Sequence, residues 1–318
     1  MAVYTPVSND DLQALLQDFD LGELIQHQGI EGGIENTNYF VSLRAPDGER
    51  QEYVLTLFEE LNQDEMPYFV ELTTWLAERE IPVPYPLKDR NGIALKSMHN
   101  RPALLQPRFS GRHLEVLQPA HCAQIGHALA QFHQAGRDFY MQRQAHRGVF
   151  WWRRESGHLA AKLSTDDAAL LKQEVELFDQ LREQPWNLPQ GAIHGDLFYD
   201  NALFDGDNLS AILDIYNACT GYLLYDLAIV ANDWCVNPDG SIDSEREQAL
   251  LKGYAEVRPF EESEYLAWPQ LVRTAAMRFW LSRLIPALDP DSTQKIKDPD
   301  ELKRILLNRI AQPGSLPR

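Results

Sequence analysis

Apolar residues recur at every second position over Tyr39, Val41 and Leu43, and again over Tyr53, Leu55 and Leu57. Pro46-Asp47-Gly48 lies between the two runs. Period two around a turn tripeptide predicts a β-hairpin. Leu24–His27 is a candidate strand before it, and Ser8–Leu16 reads as a short helix with Ser8 as N-cap and acids in its first turn. The period then lengthens. Phe69, Leu72 and Leu76 predict a helix over Met66–Glu80. Ile81-Pro82-Val83-Pro84-Tyr85-Pro86 must be extended, because proline fixes φ and biases the residue before it away from the helical region. Short strands are expected at Gly92–Leu95 and Pro102–Gln106.

Past Arg108 the helical period dominates. Cys122, Ile125, Leu129 and Phe132 form one stripe on Pro119–Gln134, and further helices are predicted over Asp167–Leu181, Leu223–Ala231, Ser244–Val257, Glu262–Leu284 and Asp298–Arg309. One hairpin interrupts them. Ala202–Phe204 and Leu209–Leu213 flank Asp205-Gly206-Asp207-Asn208, a strong turn signal. The expected fold class is α+β and bilobal: a small β-rich lobe over residues 1–106 and a larger, mainly helical lobe over 107–318. A cleft between two such lobes is a natural ligand site.

Composition narrows the partners. The net charge is −18, with 47 acidic against 29 basic residues, and such a surface repels nucleic acid and anionic membranes. Three widely spaced cysteines, Cys122, Cys219 and Cys235, form no metal or redox pair and fit a reducing compartment. The first residues lack a basic stretch followed by an apolar core, and no apolar run approaches the ~20 residues needed to cross a bilayer. These features point to a soluble cytoplasmic protein; they leave the oligomeric state open.

The chemistry concentrates in His194-Gly195-Asp196-Leu197-Phe198-Tyr199-Asp200-Asn201. Asp196 and Asn201 have the spacing of a kinase catalytic loop, H-x-D-x-x-x-x-N. The aspartate orients or accepts the proton of an attacking hydroxyl, and the asparagine offers a neutral oxygen to a metal. Asp214 follows the predicted hairpin, which folds the chain back and brings it towards Asn201. A carboxylate and an amide oxygen suit magnesium, with ATP phosphates completing the shell. A bare motif of this length is often only a turn beside a hairpin; the apolar strand Ala192-Ile193 before it and the terminal Asp214 make that reading the weaker one.

With these residues in place, the segment resembles the catalytic motif of the aminoglycoside phosphotransferase and choline kinase superfamily, which has the protein-kinase-like fold. Ala130-Gln131-Phe132-His133 and Tyr225-Asp226-Leu227-Ala228 extend the likeness along most of the chain. More narrowly, Glu35–Val41, Tyr53–Glu59, Tyr216–Cys219, Asn232–Cys235 and Arg278–Leu284 are similar to the homoserine kinases of the kinase-like type. The resemblance implies ATP and Mg2+ as cofactors and a small hydroxyl acceptor, L-homoserine. Choline, methylthioribose or an aminoglycoside are the alternatives within the class, and a non-catalytic nucleotide-binding pseudokinase is the alternative outside it.

On that footing Gly32, Gly33, Asn36, Thr37 and Asn38 are candidates for phosphate contact, since glycines let backbone amides approach anions. No lysine occurs between Met1 and Pro86, and Thr56 stands where kinases carry the strand lysine that grips phosphates. Gln106 and Arg108 fall at the expected hinge. For the acceptor, Tyr216, Asn232, Asp233, Arg278 and Arg283 join Asp196 as candidates, because a carboxylate calls for a planar bidentate cation and an ammonium for an acid. Arg278 and Arg283 are five apart on one helix, about 140° around its axis, so only one is expected to meet the substrate, with Arg278 slightly favoured. Asp226 is expected to anchor the catalytic hairpin through backbone amides, and His194 to orient the catalytic loop.

Overall fold

The computed structural model describes residues 3–31, 36–292 and 297–318. The chain divides into two compact units, Met1–Gly111 with Ser210–Leu213, and Arg112–Leu209 with Asp214–Arg318.

The first unit is built on an antiparallel five-stranded sheet of order β1-β2-β3-β5-β4. Its strands are β1 (Glu23–Gly29), β2 (Asn36–Arg44), β3 (Arg50–Phe58), β4 (Lys96–Met98) and β5 (Arg101–Pro107). Alternation does what the sequence implies. Tyr39, Val41 and Leu43 of β2 and Tyr53, Leu55 and Leu57 of β3 share one buried face. They pack with Leu12, Leu15 and Leu16 of α1 (Asn9–Leu16), which opens with a Ser8–Asp11 capping box. α2 (Met66–Ala77) follows. The strand expected at Gly92–Leu95 lies instead at Lys96–Met98. Asp89 Oδ1 accepts the amides of Asn91 and Ile93, and Gly92 takes a positive φ, so a turn occupies the place of a strand.

The second unit is mainly helical. It comprises α3 (Pro119–Arg137), α4 (Val149–Leu159), α5 (Thr165–Arg182), α6 (Leu223–Trp234), α7 (Ser244–Val257), α8 (Glu262–Ala287) and α9 (Pro299–Ala311). α3 and α7 pack at backbone distance through reciprocal glycines. A Cβ on Gly126 would meet the Leu250 carbonyl at 2.2 Å, and one on Gly253 the Ala123 carbonyl at 2.3 Å. α4 was not visible in the periodicity, since Gly157 and flanking charges dilute it; Trp152 anchors it against Phe178 at 4.9 Å. Two small ribbons frame the candidate site: β6 (Gln190–Ile193) pairs with β9 (Cys219–Tyr222), and β7 (Ala202–Asp205) with β8 (Asn208–Ile212). The three cysteines are free and buried. Among the described residues no helix is long and apolar enough to cross a membrane.

Candidate active site

β6 delivers the chain into the 194–201 loop, and α6 holds that loop at both ends. At its start, Asp226 of α6 accepts the backbone amides of His194 at 2.7 Å and Gly195 at 2.8 Å. Gly195 has φ +77°, and a Cβ there would meet the Asn217 carbonyl at 2.9 Å, so the position needs glycine. His194 is fully buried, and its Nδ1 accepts the Asp196 amide at 3.2 Å. Behind Asp226 runs a buried polar chain. His133 Nε2 donates to Asp226 at 3.0 Å, Tyr254 Oη donates to His133 Nδ1 at 2.7 Å, and Arg258 reaches Tyr254 at 3.3 Å and Glu264 at 2.8 Å. Burial alone raises the Asp226 carboxyl, but the His133 hydrogen bond, the neighbouring imidazoles and the Gly195 amide hold it below the usual range. Burial pushes His133 down, which keeps it neutral at pH 7 with its proton on Nε2.

The far end is held differently. Asp233, seven residues along α6, accepts the Tyr199 amide at 2.7 Å through Oδ2. Among the described residues its Oδ1 accepts nothing. Burial pushes its carboxyl up to about 7, against the Tyr199 amide that lowers it, and Asp200 and Glu301 raise it further. Asp233 lines a cavity of about 510 Å³ together with Phe198, Tyr199, Phe279, Arg246 and Arg283. That size is ordinary for a small-molecule pocket.

Asp196 sits between these anchors, part-exposed. The Phe198 amide donates to its carbonyl at 2.9 Å, and Asn201 Nδ2 donates to the same oxygen at 2.8 Å. The asparagine's nitrogen is thereby fixed, and its Oδ1 has no partner among the described residues. Arg278 Nη1 lies 3.9 Å from Asp196 Oδ1; the residue is 5% exposed and its guanidinium stacks on Phe279 at 3.7 Å. Asp214, two residues past the end of β8, is left-handed at φ 56°, ψ 51°. A non-glycine residue held there is strained, a signature that concentrates at functional sites. Tyr216 follows in a short 3-10 turn. Asn232 also borders the cavity, but both ends of its amide are engaged: Nδ2 on the Val272 carbonyl at 2.6 Å, Oδ1 by Arg309 Nε at 2.8 Å. Arg283 donates through Nη1 to Asp298 at 3.0 Å and to Glu301. The cavity walls Glu115 and Arg246 escaped the sequence reading; they come from remote segments and carry no local pattern.

The nucleotide candidates fall in the first unit, apart from Gly32 and Gly33, which lie outside the described residues. Strand register puts Asn38, Thr56 and Gln106 on the sheet face opposite the Leu55 core. Asn36 shares that face, and Arg108 stacks at 3.8 Å on Phe40, which belongs to it too. Thr37 points the other way: it is fully buried, donates to Glu59 at 2.6 Å and accepts the Tyr4 amide at 2.9 Å. Thr56 is 3% exposed and donates to Asn38 Oδ1 at 2.7 Å.

The pattern of the phosphotransferase enzyme family (APH) matches residues 26–260, and the chain belongs to that family. A homoserine kinase of Pseudomonas aeruginosa is 45% identical over 287 residues, covering 90% of this chain and 89% of the relative. One of Methylobacillus flagellatus is 44% identical over 316 residues, covering 98% and 96%. Solved structures give the same fold. An amicoumacin kinase in complex with AMP-PNP, Ca2+ and Ami superposes with a TM-score of 0.71 at 15% identity, covering 95% of this chain and 92% of that one. An ethanolamine kinase of Plasmodium vivax has a TM-score of 0.60 at 16% identity, covering 96% and 85%. The fold is protein-kinase-like.

Proposed function

We propose that this chain transfers the γ-phosphoryl group of ATP to the hydroxyl of L-homoserine, with Mg2+ as the divalent cation, in the cytoplasm. The observation that carries the reading is Asp196, held by a loop whose amides are fixed at both ends by α6, beside an asparagine whose amide oxygen is left open. Relatives at 44–45% identity over nearly the whole chain carry the substrate. The three buried free cysteines fit a reducing compartment.

The residues fit a metal of this kind. Asn201 Oδ1 and the Asp214 carboxylate are hard oxygen donors, and Mg2+ is commonly held by one or two protein ligands with phosphates and water supplying the rest. Such a site forms no cluster of three acids or histidines, and among the described residues none is found. When bound, the cation neutralises charge on the β- and γ-phosphates. Asn36, Asn38, Thr56 and Gln106, with Arg108 stacked on Phe40, mark the sheet face assigned to the nucleotide, and Gly32 and Gly33 are candidates from the sequence. Asp196 accepts the hydroxyl proton as the acceptor oxygen attacks phosphorus; the new O–P bond forms, the bond from Pγ to the bridging oxygen breaks, and ADP leaves. The proton passes from Asp196 to solvent.

The test is ATP turnover over a panel of homoserine, choline, methylthioribose and an aminoglycoside, with Asp196→Asn as control. Homoserine is expected to be preferred, and Asp196→Asn to lower kcat by about 10²–10⁴-fold while nucleotide still binds. Preference for another acceptor would overturn the substrate; near-full turnover by Asp196→Asn would overturn the base.

A further inference from the structure

Among the described residues the cavity beside the loop holds one fork with open donors, on α8, and two carboxylates without an ion-pair partner, the half-buried Asp233 on α6 and the exposed Glu115. Arg246 is fully engaged: Nε on Asp243 at 3.0 Å, Nη1 on the Trp234 carbonyl at 2.9 Å, Nη2 on the Val236 carbonyl at 2.9 Å and on Asn237 Oδ1 at 3.1 Å. Arg283 is not. Its Nη1 serves Asp298 and Glu301, and among the described residues Nε and Nη2 donate to nothing. A side-on pair of guanidinium donors in a fixed plane matches a carboxylate. Asp243 and Glu301 each face an arginine, whereas Asp233 keeps Oδ1 open and forms no ion pair among the described residues. Arg278, around the helix from Arg283, does not border the cavity and lies beside Asp196 instead.

We propose that Asp233 and Arg283 together read the zwitterionic end of the acceptor, Arg283 taking its α-carboxylate and Asp233 its α-ammonium, while Arg278 serves the reacting end. This rests on the amino-acid-acceptor reading above and specifies it. Phe198 and Tyr199, which wall the same cavity, directly follow Leu197 in the loop of Asp196, so the cavity adjoins the loop that carries the base. Asp233 thus joins recognition to loop position, because its other oxygen holds the Tyr199 amide. The half-buried Asp233 carboxyl, raised to about 7 by desolvation, gains most from pairing with a cation.

Two truncated acceptors separate the roles: propanolamine, which is homoserine without its carboxylate, and γ-hydroxybutyrate, which lacks the ammonium. Arg283→Met is expected to lower kcat/KM for homoserine by about 100-fold or more and to change that for propanolamine by less than about 3-fold. Asp233→Asn is expected to do the same with γ-hydroxybutyrate as the insensitive acceptor. Arg278→Met should lower kcat on all three alike. Melting curves verify folding, and Arg283→Lys, which keeps charge but loses the fork, should recover only part of the loss. Loss of carboxylate discrimination in Arg278→Met instead of Arg283→Met, or of ammonium discrimination in Glu115→Gln instead of Asp233→Asn, would overturn the assignment. A wild-type protein that does not phosphorylate homoserine would overturn the function itself; one that does, with Arg283→Met unchanged, would overturn only this inference.

Discussion

Asp226 and Asp233 stand seven residues apart on α6, nearly two full turns and about 10 Å along the axis, so they project from the same side of the helix. Both accept backbone amides of the catalytic loop. Their surroundings differ. Asp226 is saturated by two amides and a neutral imidazole, with a buried chain of Tyr254, Arg258 and Glu264 behind it, and its carboxyl is pulled down. Asp233 has one amide, an open oxygen and a cavity, and its carboxyl is pushed up to about 7. Identical side chains on one helix thus divide the labour. The satisfied acid is an anchor, and the unsatisfied one is available to a ligand. Environments that push two acids apart are how one fold assigns them separate roles.

The contrast is broken most severely at the anchor. Asp226→Ala removes the acceptor of two buried amides and of the His133 proton. Leaving buried polar partners behind costs about 3–5 kcal/mol, to be read by denaturant unfolding. His133→Ala, which leaves Asp226 its two amides, should cost less. Equal losses in the two variants would show that the histidine, and not the loop amides, makes Asp226 an anchor.

Asp233→Asn probes the other side. Asparagine still accepts the Tyr199 amide through its oxygen, so the loop keeps its position. The expected result is a rise in KM for homoserine of about 100-fold or more with KM for ATP nearly unchanged. A matched fall in nucleotide affinity would mean that Asp233 works through the loop, as Asp226 does, and the comparison would collapse.

The sequence carried one of these acids better than the other. Asp196, Asn201 and Asp214 could be named as candidates because their relation is local: fixed spacing and a hairpin read directly from turn residues. Asp226 was expected to anchor the hairpin; its carboxylate holds the amides at the start of the 194–201 loop instead. Asp233 was visible as a residue, but its character depends on Glu301, Lys297 and the cavity wall, all distant in sequence. Periodicity likewise recovered long helices and the first hairpin. It missed β9, whose four residues include Gly221 and pair with β6 from far along the chain. Arg278 was slightly favoured over Arg283 because it precedes the aromatic pair Phe279-Trp280; what each guanidinium meets is a tertiary property that the sequence does not show.

A pH profile sharpens the comparison. The groups acting on Asp233 are the Tyr199 amide, Asp200, Lys297 and Glu301. An ammonium binds only the ionised carboxylate. KM for homoserine should therefore fall several-fold as pH rises through about 7, and Asp233→Asn should flatten that step. Asp226, already ionised well below that range, contributes no step there. A step near 7 that survives in Asp233→Asn would assign the titration elsewhere.

The smallest effect expected is on stability, and its sign is opposite for the two acids. A carboxyl raised on folding means that the folded state binds a proton more tightly than the unfolded chain. Stability is then lost as pH rises from the unfolded value near 4 to the folded value of about 7, and the loss is complete above that. The full shift corresponds to at most about 4 kcal/mol. Water at the open face of the cavity should leave about 1 kcal/mol of it. Asp233→Asn should therefore melt higher than the parent at pH 8 and show no such gain at pH 4, where the parent carboxyl is protonated. Asp226 runs the other way: its depressed carboxyl stabilises the fold above the unfolded value and loses that contribution as pH falls. Thermal melts of Asp233→Asn and Asp226→Asn at both pH values separate the signs. A stabilised Asp233→Asn with weakened homoserine binding is the combination expected where a protein keeps a charge poorly solvated so that a substrate can pair with it. A destabilised Asp233→Asn at pH 8 would make Asp233 a second anchor and remove the asymmetry.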